Sequence, residues 1–193
     1  MMQLEEMREQ LSLGELPVEL TSNANIRPGE LIPVVTDAES RKVELFKWGL
    51  VPYWAKDEST GYKMINARAE TLADKPSFRQ AFLKRRCLIP ADGFYEWSGE
   101  GKERKPYLFT LKEQTPFMFA GLWEVWRENL FTCTIITTEP NDLLSDYHNR
   151  MPVILTRDTC WQWLKSSNDE ELKSLLQPIP VDLMAAPVQL NKL

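Results

Sequence analysis

The stretch that decides the fold is residues 115–138, "TPFMFAGLWEVWRENLFTCTIITT". Two apolar runs are joined through the polar segment "RENL". In the second run Phe131, Cys133 and Ile135 fall on one face and Thr132, Thr134 and Ile136 on the other, the period-two pattern of a strand. The pair reads as an antiparallel hairpin, and the remaining chain must supply what covers it.

Upstream, "LIPVV" (31–35) and "KVELFKW" (42–48) flank the polar turn "TDAESR" and predict a second hairpin. "CLIPADGFYEW" (87–97) reads as two short strand pieces around a Pro-Ala-Asp-Gly turn. The glycine-containing "SGEGKERK" then leads to a returning strand, "PYLFTL" (106–111). Downstream, "PVIL" (152–155) is one more strand. "TRDTCWQWLKS" begins a helix with Thr156 as its N-cap and Asp158 in its first turn, and "DEELKSLLQ" forms another, closed by Pro178. At the start, Leu4, Met7 and Leu11 in "LEEMREQL" have helical spacing, ending near Gly14 and Pro17. Residues 48–71, interrupted by Gly49, Pro52 and Gly61, have no sustained period and read as a long ordered loop. The expectation is an α+β fold: a single domain over 1–193, with mostly antiparallel strands in a curved sheet or barrel-like core and flanking helices.

Composition narrows the function. With 43% hydrophobic and 26% charged residues, 193 residues suffice for one sizeable core. No run of about 18 uncharged apolar residues exists, and the acidic amphipathic start is unlike a signal peptide, so a cytoplasmic protein without membrane contact is expected. Three cysteines, Cys87, Cys133 and Cys160, with a single histidine and no CxxC spacing, argue against disulfides, a metal site or any other cofactor. A net charge of −5 argues against a broad basic surface for duplex DNA and leaves room for a local groove. The basic run "FRQAFLKRRC" (Arg79, Lys84, Arg85, Arg86) is one candidate for it.

Three polar residues stand where apolar ones would be cheaper: Asn66 in "MINARAE", Glu96 in "FYEW" and His148 in "YHNRMP". Between Tyr95 and Trp97, a desolvated Glu96 would have its pKa raised toward the range useful in proton transfer, and a histidine such as His148 is the side chain suited in most settings to serve as the acid. The plainer alternatives are an asparagine ordering its loop, a solvated strand glutamate and a hydrogen-bonded structural histidine. Arg68 can pair with Glu70 or Asp74, and Arg150 with a nearby carboxylate. Trp48, Tyr53, Trp54 and Arg68 interleave aromatic and basic character, the recipe for single-stranded nucleic acid. Trp48 and Trp123 are assigned to the core, and Trp54, beside Lys56 and Asp57, is the stacking candidate. The three cysteines, in apolar or helical contexts, read as small buried hydrophobes.

The strings "NIRPGE", "WGLVPYWAKD", "INARAET", "KPSFR", "RRCLIPADGFYEW", "FAGLWE", "TCTIITTEPN" and "HNRMPVIL" follow one another in an order that closely resembles the SOS response-associated peptidase (SRAP) family, from about Asn25 to Gln177. The resemblance implies a protein that senses abasic sites in single-stranded DNA as a monomer. It implies that an N-terminal cysteine, exposed after removal of the initiator methionine, condenses with the abasic aldehyde to a thiazolidine. It assigns Asn66 to orienting that residue, Glu96 and His148 to proton exchange, Arg68 and Arg150 to flanking phosphates, and Trp54, Thr137 and Pro28 to the DNA path. The sequence departs from the pattern at its start: family members begin Met-Cys-Gly-Arg and a strand, whereas this one begins "MMQLEEM" with Met2 at the second position. The chain is therefore expected to lack the cysteine-bearing strand and the family's last C-terminal segment, and to be inactive in crosslinking as it stands. A non-catalytic single-strand binder, a cysteine-type peptidase built on His148 and a scaffold are the alternatives.

Overall fold

The computed structural model describes residues 2–99 and 101–190. Its strands are Leu31–Val35 (β1), Val43–Trp48 (β2), Asn66–Arg68 (β3), Arg86–Ala91 (β4), Phe94–Ser98 (β5), Lys105–Phe109 (β6), Phe117–Trp126 (β7), Leu130–Thr138 (β8), Met151–Pro152 (β9), Ile154–Leu155 (β10) and Val188–Gln189 (β11). Its α-helices are Leu4–Leu11 (α1), Pro76–Lys84 (α2), Asp142–Ser145 (α3), Cys160–Lys165 (α4) and Asp169–Leu175 (α5).

The main sheet curls until it meets itself. β7 pairs with β4, β4 with β1 through Val35 and Leu88, and β1 with β2 along its whole length. β2 then runs parallel to β8, and β8 returns antiparallel to β7 from Gly121–Ile135 to Trp126–Leu130. The ring of five strands is the expected barrel-like core. Beyond Ile135 the two strands part, and β3 and β9 take up the end of β8 while β10 takes up the start of β7. A smaller sheet, β11-β6-β5, is separate from this one.

Both faces of the ring are buried, which explains the nearly unbroken apolar run of β7. One face carries Val34, Phe46, Cys87, Ile89, Phe119, Cys133 and Ile135, with Phe109 of the small sheet packed in the same cluster. The other carries Val35, Leu88, Met118, Ala120, Leu122 and Ile136, covered by Phe78 and Phe82 of α2, Trp163 of α4 and Leu172 of α5. Cys133 and Ile135 thus share a face that Ile136 does not, as the alternation predicts. Trp48 and Trp123 are half-buried against the first cluster. Thr132, buried on the helix-covered side, accepts the Val51 amide at 2.9 Å.

Four local readings are corrected. Residues 48–71 are not one loop: Glu58–Lys63 is a 3₁₀ turn capped by Asp57, and β3 follows it. Three residues in a parallel pairing leave no period to detect. The basic run falls on and just after a helix, Pro76–Lys84, with Pro76 in its first turn and Phe78, Ala81 and Phe82 on its buried side. Two of its four cations serve the fold: Arg85 pairs with buried Glu124 at 2.7 Å, and Arg86 donates to the carbonyls of Phe82 and Trp163. "PVIL" is split at Val153, whose amide donates to Ile136 while its carbonyl accepts from Ala120, so the segment bridges the parted strands. The Thr156 helix starts later, at Cys160 with Thr159 in the cap position, because the Thr156 carbonyl accepts both the Thr159 and Cys160 amides in a preceding turn. Among the described residues no helix is long and apolar enough to cross a membrane.

Trp163 joins helix to barrel: it is 0% exposed and its Nε1 donates to the carbonyls of Cys87 (3.0 Å) and Gly121 (3.3 Å). At Gly121 a Cβ would overlap Ile89 Cδ1 and lie 2.9 Å from Cys87 Sγ. Trp163→Ala is expected to lower stability by about 3–5 kcal/mol through cavity formation and Gly121→Ala by about 1–3 kcal/mol through overpacking, both read as urea midpoints.

Candidate functional site

Where β7 and β8 part, the ring opens into a cavity of ≈ 620 Å³. Its floor is apolar, from Ile32, Trp48, Ile89, Phe119 and Ile135, and its rim carries seven of the eight sequence-predicted residues: Pro28, Asn66, Arg68, Glu96, Thr137, His148 and Arg150. Trp54 is the exception. It is exposed, as a stacking residue would be, and lies outside the cavity wall because its loop packs beside Trp126 on another part of the barrel.

Asn66 and Arg68 reach the rim on β3, whose place is fixed by the Ile65 carbonyl. That oxygen accepts both Trp48 Nε1 (2.8 Å) and the Ile135 amide (3.1 Å). Both side chains are exposed, and that of Arg68 makes no hydrogen bond or ion pair within the described residues. Thr137, opposite Arg68 on β8, is buried.

His148 follows α3, which the buried Asn141 side chain caps by accepting the Leu144 amide at 3.0 Å. The Leu144 carbonyl in turn accepts the His148 amide. Tyr147, next to it, packs edge-on against Tyr107 of β6 with centroids 4.8 Å apart. Glu96 faces Tyr107 across β5–β6, so docking Tyr147 brings His148 to Glu96, with Nδ1 3.9 Å from Oε1. The same Nδ1 lies 3.0 Å from the Arg150 carbonyl and 3.2 Å from its amide. One nitrogen therefore has an acceptor and a donor within reach. The ring keeps a partner in either tautomer, while Nε2 has none among the described residues. Burial raises the Glu96 carboxyl above the ordinary carboxylate range, opposed in turn by His148, the Trp97 amide and Arg104.

Arg150 is committed inside the protein. Nη1 and Nη2 donate to the two carboxylate oxygens of Glu70 at 2.6 and 2.9 Å, and Nη2 also donates to the Thr137 carbonyl at 2.6 Å. This is the carboxylate pairing that the sequence left open for Arg150, and it ties the strand bearing Arg68 to the segment bearing His148.

Sequence reasoning missed the contact that holds Met2 at the site and the residue that makes it. Met2 lines the cavity, and its amide donates to Asp92 Oδ2 at 2.6 Å, so the start of the chain is delivered to the site. Asp92 looked like a turn residue, and a contact 90 positions away marks it. Tyr95 similarly holds the 20–28 loop, donating from its hydroxyl to the Ala24 carbonyl at 2.7 Å. The three cysteines are buried, and none lines the cavity. Burial pushes the Cys87 and Cys133 thiols well up and that of Cys160 to about 11.

Comparison with known proteins bears on this arrangement. A family model described as SOS response associated peptidase (SRAP) matches residues 1–191. The abasic site processing protein YoqW of Bacillus subtilis (strain 168) is 48% identical over 170 residues, spanning 84% of this chain and 76% of its own. A crystal structure of a Bordetella bronchiseptica protein aligns with a TM-score of 0.81 at 27% identity, over 96% of this chain and 95% of that one. One from Bacteroides thetaiotaomicron aligns with a TM-score of 0.75 at 34% identity, over 84% of this chain and 75% of that one. With the family model spanning nearly its whole length and a barrel shared with solved structures, this chain belongs to the SRAP family.

Proposed function

We propose that the protein recognises abasic sites in single-stranded DNA. The observation that carries the reading is the cavity itself: an apolar chamber whose rim brings Asn66, Glu96 and His148 together beside an exposed guanidinium, Arg68. A sugar that has lost its base can enter such a chamber, and a strand without a partner can bend to deliver it. The abasic processing named for YoqW supports the same substrate.

A closed abasic sugar becomes an aldehyde when its C1 hydroxyl loses a proton and its ring oxygen gains one. Glu96 and His148 suit the two transfers: a carboxyl raised by burial exchanges protons nearer neutrality, and Nε2 can give or take one while Nδ1 keeps its partner. Arg68 meets a flanking phosphate, and Asn66 orients the reacting groups.

Covalent capture needs a primary amine beside a thiol. The amine condenses with the aldehyde and releases water, and the thiol then adds to the resulting carbon–nitrogen double bond to close a thiazolidine. Position two here is methionine, and the three cysteines are buried away from the cavity, which favours binding without crosslinking for the sequence as it stands. The same burial disfavours a cysteine peptidase. The position of Met2 on the cavity wall supports the reading that a cysteine-bearing start would act there.

An abasic single-stranded oligonucleotide run on a denaturing gel tests both steps. The chain as given is expected to show salt-dependent binding and no covalent band, and a version with Met-Cys-Gly-Arg-Phe and its strand restored to show the band. No band from the latter overturns the covalent reading, and no binding by either overturns the DNA reading. Arg68→Ala is expected to weaken binding to all single strands alike and to flatten its salt dependence by about 0.7 in log–log slope, one phosphate contact.

Stability carries a second signature. Because the folded-state pKa of Glu96 is raised, its contribution is intact below the ordinary carboxylate range and is lost as pH rises through the raised value. Glu96→Gln should therefore melt close to the parent at about pH 4 and above it at about pH 8, by scanning calorimetry.

A further inference from the structure

Glu70 sits two residues beyond Arg68, in the 3₁₀ turn that follows β3. Its two carboxylate oxygens take the two terminal nitrogens of Arg150 at 2.6 and 2.9 Å. This parallel, two-bond arrangement is the one in which a guanidinium also grips a phosphate. The rest of the fork is little free: the second Nη2 proton goes to Thr137 and Nε is buried without a partner, which leaves one Nη1 proton. Arg150 first and Arg68 at longer range hold the Glu70 carboxyl below the usual carboxylate range. The Glu70 carboxylate is thus bound by the guanidinium of Arg150, with that of Arg68 at longer range, and both arginines line the cavity.

We propose that Glu70 occupies the phosphate position of Arg150 in the DNA-free protein and is displaced from it by a backbone phosphate, which makes Glu70 a specificity-determining residue. The inference rests on the reading of the cavity as a single-stranded DNA site. Its physics is exchange. Swapping one anion for another on the same guanidinium returns little net Coulomb energy, and the displaced carboxylate stays near enough to repel the strand. The exchange is accessible on the carboxylate's side, because the Glu70 side chain is 51% exposed and can move into water, while the largely buried Arg150 passes from one anion directly to the other. An undamaged strand, held only by its phosphates, gains little from Arg150. A strand already anchored by an abasic sugar in the cavity has the added local concentration to complete the exchange. Glu70 therefore weakens binding to intact DNA more than binding to the lesion.

The test is fluorescence anisotropy with a labelled oligothymidylate, intact or carrying a central tetrahydrofuran abasic analogue, across a salt series. Glu70→Gln is expected to bind the intact strand about fivefold tighter, with a log–log salt slope steeper by about 0.7, and to narrow the lesion-to-intact ratio. Glu70→Ala should show the same sign, and the gain should vanish in an Arg150→Ala background. Unchanged or weaker binding by both Glu70 variants, with Arg68→Ala still weakening the parent, overturns the inference and leaves the DNA reading standing. Absence of single-strand binding by the parent and every variant overturns the DNA reading itself.

Discussion

The parting of β7 and β8 is the constraint on which the site depends. From Gly121–Ile135 to Trp126–Leu130 the hairpin is paired, and beyond that its backbone groups need new partners if they are not to be buried unsatisfied. Val153 supplies two of these bonds, donating to Ile136 and accepting from Ala120, while β3 takes the outer side of β8. Each insertion delivers side chains: β3 brings Asn66 and Arg68, and the approach to β9 brings His148 and Arg150. A hairpin closed along its whole length would satisfy the same backbone groups and leave neither the opening nor anything to line it.

The strands were legible because they alternate or are continuously apolar, and the ring follows from their number and short connections. The elements missed are those whose signal is shared with another reading. β3 is three residues in a parallel pairing, α3 is a single turn, and α2 shows charge more plainly than its Phe78–Phe82 stripe. The split at Val153 comes from a demand made by two other strands and leaves no local mark. At the site, Glu96 stood out as a carboxylate between Tyr95 and Trp97, and His148 as the single histidine, in a polar stretch just before a strand. Their approach depends on Tyr147 meeting Tyr107, which no spacing encodes. Trp54 fitted the composition expected of a stacking residue, and the topology carried it elsewhere.

Charge is handled locally in this acidic protein. Of the basic run around α2, Arg85 and Arg86 are spent on Glu124 and on backbone carbonyls, and Arg150 is braced by Glu70 and Thr137. The arginines that line the cavity are few: Arg27, Arg68 and Arg150. Under the proposed function, a few such groups would hold a strand in register without attracting nucleic acid over the rest of the surface.

The burial of Cys87, Cys133 and Cys160 has a practical side. Burial shields their thiols from solvent and pushes their pKa values up, which disfavours the thiolate that maleimides and peroxide require. Any cysteine placed at the chain start would be its single reactive sulfur, free of competition from within. The fold insulates its own sulfur chemistry, and a one-residue change at the terminus is enough to make the molecule chemically addressable at one point.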